Sequence, residues 1–194
     1  MVSPRPDSCA VAFKEWAGVC DALIQGRQSL IVRKGGISEG AGPGTFVPEH
    51  SEFWLYPTWV HQAEQGLRGS GGTGPPAHPV DPGGAISIRA LVRVGPIGYV
   101  ESEETLPELE EFHIFTAETI VKRFRYRQPG LWVLGARVWR HDPGFVVAAS
   151  PEHAGCKTWV NLDEPLPTTA LSPVLDEAEW TAVCRRLRAI LEGG

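Results

Sequence analysis

Arg33-Lys34-Gly35-Gly36 puts two cations ahead of two glycines at the end of a short apolar run. Charge combined with backbone amides that no side chain shields is the chemistry of an anion cradle, so these residues are a candidate phosphate-binding turn. The competing reading is a tight turn with a solvated Arg and Lys. The turn fits neither the P-loop pattern nor a dinucleotide-binding glycine fingerprint.

His50 and His61, with Glu49 and Gln62, flank an aromatic stretch. Imidazole titrates near neutrality and ligates metals, so the pair could serve as acid–base groups, as ligands or in binding. Their spacing matches no helix-borne ligand pattern and no third ligand can be assigned, so a metal site is not expected. The plainer alternative has His61 and Gln62 locking the Pro57-Thr58 turn by hydrogen bonds.

Lys122, Arg123, Arg125 and Arg127 interleave with Phe124 and Tyr126. Nucleic-acid surfaces use such mixtures, cations for phosphates and rings for bases. On a helix, however, only Lys122 with Arg125, or Arg123 with Arg127, share a face. Upstream, Glu101 to Glu111 holds six Glu and no Lys or Arg, a local charge of −6 against −5 for the chain, which leaves +1 elsewhere. The acidic block reads as a solvated loop, and whether it pairs with the basic run stays open at this level. Cys156 lies between Gly155 and Lys157, a setting that could activate a thiol, but a structural role is favoured.

These residues need elements to hold them. Phe13, Trp16, Ala17, Cys20 and Ile24 recur at spacings of three and four, which predicts an opening amphipathic helix stopped at Gly26. Ser29–Val32 predicts a strand, and so does Phe53–Tyr56, stopped by Pro57, with Thr58 capping a short helix through Gln65. Residues 69–84 carry six Gly and four Pro, and are expected to be a surface loop or a subdomain linker. Ala85–Val94 and Ile97–Val100 predict strand, and Thr116 caps a helix to Tyr126. Leu131–Arg140 and Phe145–Ala149 predict a hairpin around Asp142-Pro143-Gly144, and Thr158–Leu162 a further strand. Asp176 and Glu179 form a capping box for a last helix whose stripe is Trp180, Val183, Cys184, Leu187, Ile190 and Leu191.

The expected fold is therefore α+β: a mixed, largely antiparallel sheet with an N-terminal and a C-terminal helix packed on it, forming one domain over 1–194. The 194 residues suffice for that, with 42% hydrophobic and 21% charged residues. No apolar run reaches membrane-spanning length, and no signal peptide is expected. Cys9, Cys20, Cys156 and Cys184 make no CxxC pair, so neither a zinc site nor any other cofactor is expected, and a reducing cytoplasm suits them.

Several segments together resemble a bacterial and archaeal family known as domain of unknown function 1802. They are Lys14-Glu15-Trp16-Ala17, Arg33-Lys34-Gly35-Gly36-Ile37, Glu49-His50, Phe53-Trp54-Leu55-Tyr56-Pro57-Thr58 and His61-Gln62. Phe112-His113-Ile114-Phe115-Thr116, Lys122-Arg123-Phe124 and Gly155-Cys156-Lys157-Thr158-Trp159-Val160 complete the likeness. Because some members are joined to a restriction-type nuclease module, the resemblance implies nucleic-acid metabolism, with a nuclease partner protein. It transfers no mechanism, and this chain has no PD…(D/E)xK arrangement.

Three functions follow as expectations. The first is a nucleic-acid-associated module of a restriction or defence-type system, binding through Arg33, Lys34, Gly35, Gly36, His50, His61, Gln62, Lys122, Arg123 and Arg125. The second is an enzyme acting on a phosphorylated small molecule or nucleotide, and the third a non-catalytic protein-binding adaptor.

Overall fold

The computed structural model describes residues 6–34, 49–59, 66–69, 84–153 and 158–193. Along the chain lie β1 (Ser8–Trp16), α1 (Ala17–Ile24), β2 (Leu30–Arg33), β3 (Glu52–Thr58) and β4 (Ala85–Val100). A 3-10 helix (Glu103–Phe112), α2 (Ala117–Arg125), β5 (Leu131–Ala148), β6 (Trp159–Pro167), β7 (Ser172–Pro173) and α3 (Glu177–Gly193) follow. The sheet runs β2-β5-β4-β3-β1-β6, with β7 on β5. Among the described residues only β1 and β3 pair in parallel, so the sheet is mixed and mostly antiparallel, and the α+β expectation holds.

The opening helix is a correction. Phe13 and Trp16 belong to β1, and helix starts only at Ala17. Residues 8–16 satisfy both periods on paper, and the ladder that β1 forms with β3 and β6 decides between them. Pro57 likewise does not end its strand. It sits beyond the part of β3 that pairs with β4, where a missing amide hydrogen is tolerated. Thr58 closes β3 instead of capping a helix, and residues 60–65 lie outside the described set. So does the Gly/Pro stretch between its end residues 69 and 84.

The expected hairpin is one strand. Ala90 pairs with Arg140 and Ile88 with Phe145, so β4 carries both halves of β5 and Asp142-Pro143-Gly144 is absorbed as a bulge. The acidic block is also corrected. Leu106, Leu109 and Phe112 recur every third residue, the period of a 3-10 helix, and are buried beneath it while the glutamates face outward.

The remaining elements follow local rules. Thr116 caps α2 by accepting the Thr119 amide at 3.2 Å. At α3, Glu179 N donates to Asp176 Oδ1 and Asp176 N to Glu179 Oε2, both at 2.8 Å, as a capping box requires. The principal core gathers Phe13, Leu23, Val32, Phe53, Leu109 and Phe124, while Ala12, Trp54, Tyr56, Leu91 and Val160 pack into a second cluster. Among the described residues no helix is long and apolar enough to cross a membrane.

Candidate functional site

Strand β2 and helix α2, far apart in sequence, are fastened together at the end of the sheet. Arg33 leaves edge strand β2 and its guanidinium donates to the Lys14 carbonyl of β1 at 2.7 Å. These strands are not neighbours in the sheet, so the contact shows how far the sheet curls. The same guanidinium lies 4.0 Å from the Phe13 ring centroid and 4.0 Å from Glu15 Oε2. Glu15 is buried, and its other oxygen accepts the Trp16 amide at 2.8 Å.

Arg123 comes to the same place from α2. Its guanidinium stacks 3.9 Å from the Trp16 ring and 4.7 Å from Phe115. Burial holds its pKa down to about 10; Glu15 opposes that shift and Arg33 adds to it. The guanidinium thus remains protonated at neutral pH. Two cations from opposite halves of the chain therefore share one buried carboxylate.

Lys34 takes a different job. Its Nζ donates to the carbonyls of Phe124, Gln128 and Gly130, the last at 2.7 Å. These carbonyls lie at and just past the end of α2, where acceptors lack partners in the helix and positive charge is favoured. Burial lowers the Lys34 pKa. With three protein acceptors its ammonium is already saturated.

Beyond that clasp the surface opens. Lys122, Arg125, Tyr126 and Arg127 are exposed, and Tyr126 is unusually so for an aromatic residue, at 58%. Arg127 sits 5.2 Å over the Tyr126 ring and holds φ at 62°, a conformation that bulky residues rarely adopt. Arg125 is bidentate to Glu103, with both contacts at 2.7 Å. Arg68 pairs with Glu110 and Arg186 with Glu111, so the acidic block shares its charge among three arginines, one of them in the basic run.

His50 lies outside this group but is linked to it by rings. It meets Trp159 edge-on at 5.1 Å, and Trp159 in turn packs 4.9 Å from Phe13, the ring under Arg33. Gly35, Gly36, His61, Gln62 and Cys156 lie outside the described residues. Among the described residues no three His, Cys, Asp or Glu side chains could hold a metal ion.

The arrangement brings Arg33, Lys34 and Arg123 together, leaves Lys122 on the surface beside them, and ties Arg125 to Glu103. Glu15, Trp16 and His113 were not anticipated. A carboxylate between Phe13 and Trp16, at the end of a largely apolar strand, was the available signal for Glu15. His113 is buried and accepts the Phe115 amide on Nδ1 at 3.1 Å. Burial, then the nearby Arg68 and Arg123, lower its pKa to about 4.

A curled mixed sheet, with an arginine pair stacked on its aromatic rings and a basic helix end clasped to its edge, defines an α+β protein with one cationic margin. The chain belongs to the family described as domain of unknown function (DUF1802), whose model matches residues 12–186. No curated protein matches it significantly. Among solved structures, ASCH from Zymomonas mobilis aligns over 89% of this chain and 92% of its own, with 11% identity and a TM-score of 0.42. A point mutant of that protein aligns over 79% and 90%, with 10% identity and a TM-score of 0.44. Likeness at this level assigns neither a site nor an activity.

Proposed function

We propose that this chain is a nucleic-acid-associated module that holds single-stranded nucleic acid along the margin formed by the end of α2 and the Arg33-Lys34 turn. The observation that carries this reading is Tyr126, an exposed ring just past the end of α2 and stacked by Arg127, with Lys122 exposed on the last turn of that helix. A free aromatic face beside cations is how proteins bind unpaired strands without reading their sequence. Lys34 and Arg123 serve it indirectly, one fixing the helix end and the other the helix body, while Lys122 and Arg127 meet phosphates. A nuclease partner of a restriction or defence-type system is the setting we propose for it.

The test is fluorescence anisotropy with single- and double-stranded probes across a salt series. Two phosphate contacts predict a slope of log affinity against log salt of about −1.4 on single strands. No binding at low salt, or binding indifferent to salt, overturns the reading.

A further inference from the structure

Four cations crowd the end of α2, and the fold treats them differently. Arg123 is stacked on the rings of Trp16 and Phe115, while Lys122 and Arg127 stand exposed. Arg125 is exposed as well, but it is engaged by a carboxylate. Its Nε and Nη2 donate to Glu103 Oε2 and Oε1, each at 2.7 Å. A parallel fork of this kind is the strongest form that a single arginine–carboxylate contact takes.

The position of Arg125 gives that engagement its meaning. It lies three residues after Lys122 on the same helix, so the two share a face with about 5–6 Å between their β-carbons. It also directly precedes Tyr126. A phosphate at Lys122 therefore brings the next part of a strand within reach of the Arg125 side chain. Guanidinium takes phosphate in the same forked geometry that it uses for carboxylate. The Arg125 side chain is 66% exposed and that of Glu103 36%, so the two anions compete for it in solvent.

Glu103 is presented by an element anchored without Arg125. The 3-10 helix that it opens is capped by Ser102, whose hydroxyl accepts the Glu104 amide at 3.2 Å. Leu106, Leu109 and Phe112 bury its inner side, and Arg68 and Arg186 hold Glu110 and Glu111 near its far end. The carboxylate thus stays beside α2 whether or not Arg125 is bound to it. An exposed ion pair is weak, but exchanging a carboxylate for a phosphate trades like for like, so a strand gains little by breaking this one.

We infer that Glu103 is an autoinhibitory contact that withholds Arg125, a third phosphate-binding residue, from a strand lying on the α2 margin. The inference rests on the nucleic-acid reading proposed above and adds what limits that site. With Glu103 in place, the margin works with the two phosphate contacts of Lys122 and Arg127. Without it, three contacts form.

The experiment repeats the anisotropy titration with a single-stranded oligonucleotide across a salt series, on the full chain and on Glu103→Gln. The variant should bind about fivefold more tightly at low salt, the upper end of what an exposed ion pair is worth. Its slope of log affinity against log salt should steepen from about −1.4 to about −2.1, one added phosphate contact. Adding Arg125→Gln to Glu103→Gln should abolish the gain and return the slope to about −1.4. Glu104→Gln removes the same charge from the same turn and should leave the slope unchanged. A gain that survives in the double variant, or that Glu104→Gln reproduces, would be a diffuse effect of charge and overturns the inference. If the parent chain binds and Glu103→Gln binds no tighter, the autoinhibitory contact alone is refuted. If neither binds at low salt, the contact and the nucleic-acid reading fall together. Binding by Glu103→Gln alone, lost with Arg125→Gln, upholds the contact while overturning that reading for the parent chain.

Discussion

Lys34 Nζ lies 2.7 Å from the carbonyl oxygen of Gly130, ninety-six positions further along the chain, and so closes the open end of α2 from the end of β2. The sequence presents Lys34 as a cation awaiting a phosphate, yet the fold has already surrounded it with oxygen. The basic margin is thus held in place by one of the residues expected to serve it. Lys34→Met should cost about 2 kcal/mol in urea unfolding, because a charged donor is lost from several carbonyls at once. Hydrogen exchange at Gly130, whose amide bonds the Phe124 carbonyl, should quicken. An unchanged midpoint would show the clasp to be ornamental.

Glu15 lies 4.0 Å from Arg33 and acts electrostatically on Arg123, an effect that Arg33 opposes. With its charge removed, the mutual repulsion of the two guanidinium groups is left uncompensated in a half-buried place. Glu15→Gln should therefore destabilise the fold by about 3 kcal/mol, as expected when one member of a buried ionic group is taken away. A double-mutant cycle with Arg33→Gln should return a coupling of more than about 1 kcal/mol. Additive losses would mean that the 4.0 Å contact between them carries little.

Tyr126 makes the nucleic-acid proposal quantitative. Tyr126→Ala should weaken single-strand binding by about 1–3 kcal/mol per stacked base, while Tyr126→Phe should bind as the parent does. Lys122→Ala should instead flatten the salt slope by about 0.7. Equal affinity for the alanine variant at Tyr126 would remove the ring from the interface.

His113 gives the protein a pH dependence of known sign. Its folded pKa of about 4 lies below the ordinary 6.5. Between those values an unfolded chain binds a proton that the folded one refuses, so stability is present above about pH 6.5 and falls as pH drops toward 4. The full effect is about 3 kcal/mol. His113→Asn keeps an acceptor for the Phe115 amide but cannot titrate. Urea midpoints measured across this range should therefore decline less steeply in the variant, and parallel curves would refute the assignment.

Where backbone and side chain answer to near neighbours, the structure could be anticipated from the sequence. The Asp176–Glu179 capping box, the Thr116 cap and the strand–bulge–strand run from Ala85 to Val100 belong to this group. The three-residue period of Leu106, Leu109 and Phe112 was equally local but was masked by the glutamates around it. Residues 8–16 were ambiguous because Phe13 and Trp16, three apart, suit a helical stripe while Cys9, Val11 and Phe13 alternate as in a strand, and the partners β3 and β6 break the tie.

The sequence by itself determined the family, the α+β class and the presence of two basic segments with rings between them. Only the tertiary structure decided which cations remain on the surface. It turned Lys34 into a helix clasp, tied Arg125 to Glu103 and placed Arg33 and Arg123 around Glu15, while leaving Lys122, Tyr126 and Arg127 exposed. The physical reason is that a side chain's charge is written in its own residue, but the groups that satisfy that charge come from wherever the sheet's curl and the helix ends bring them.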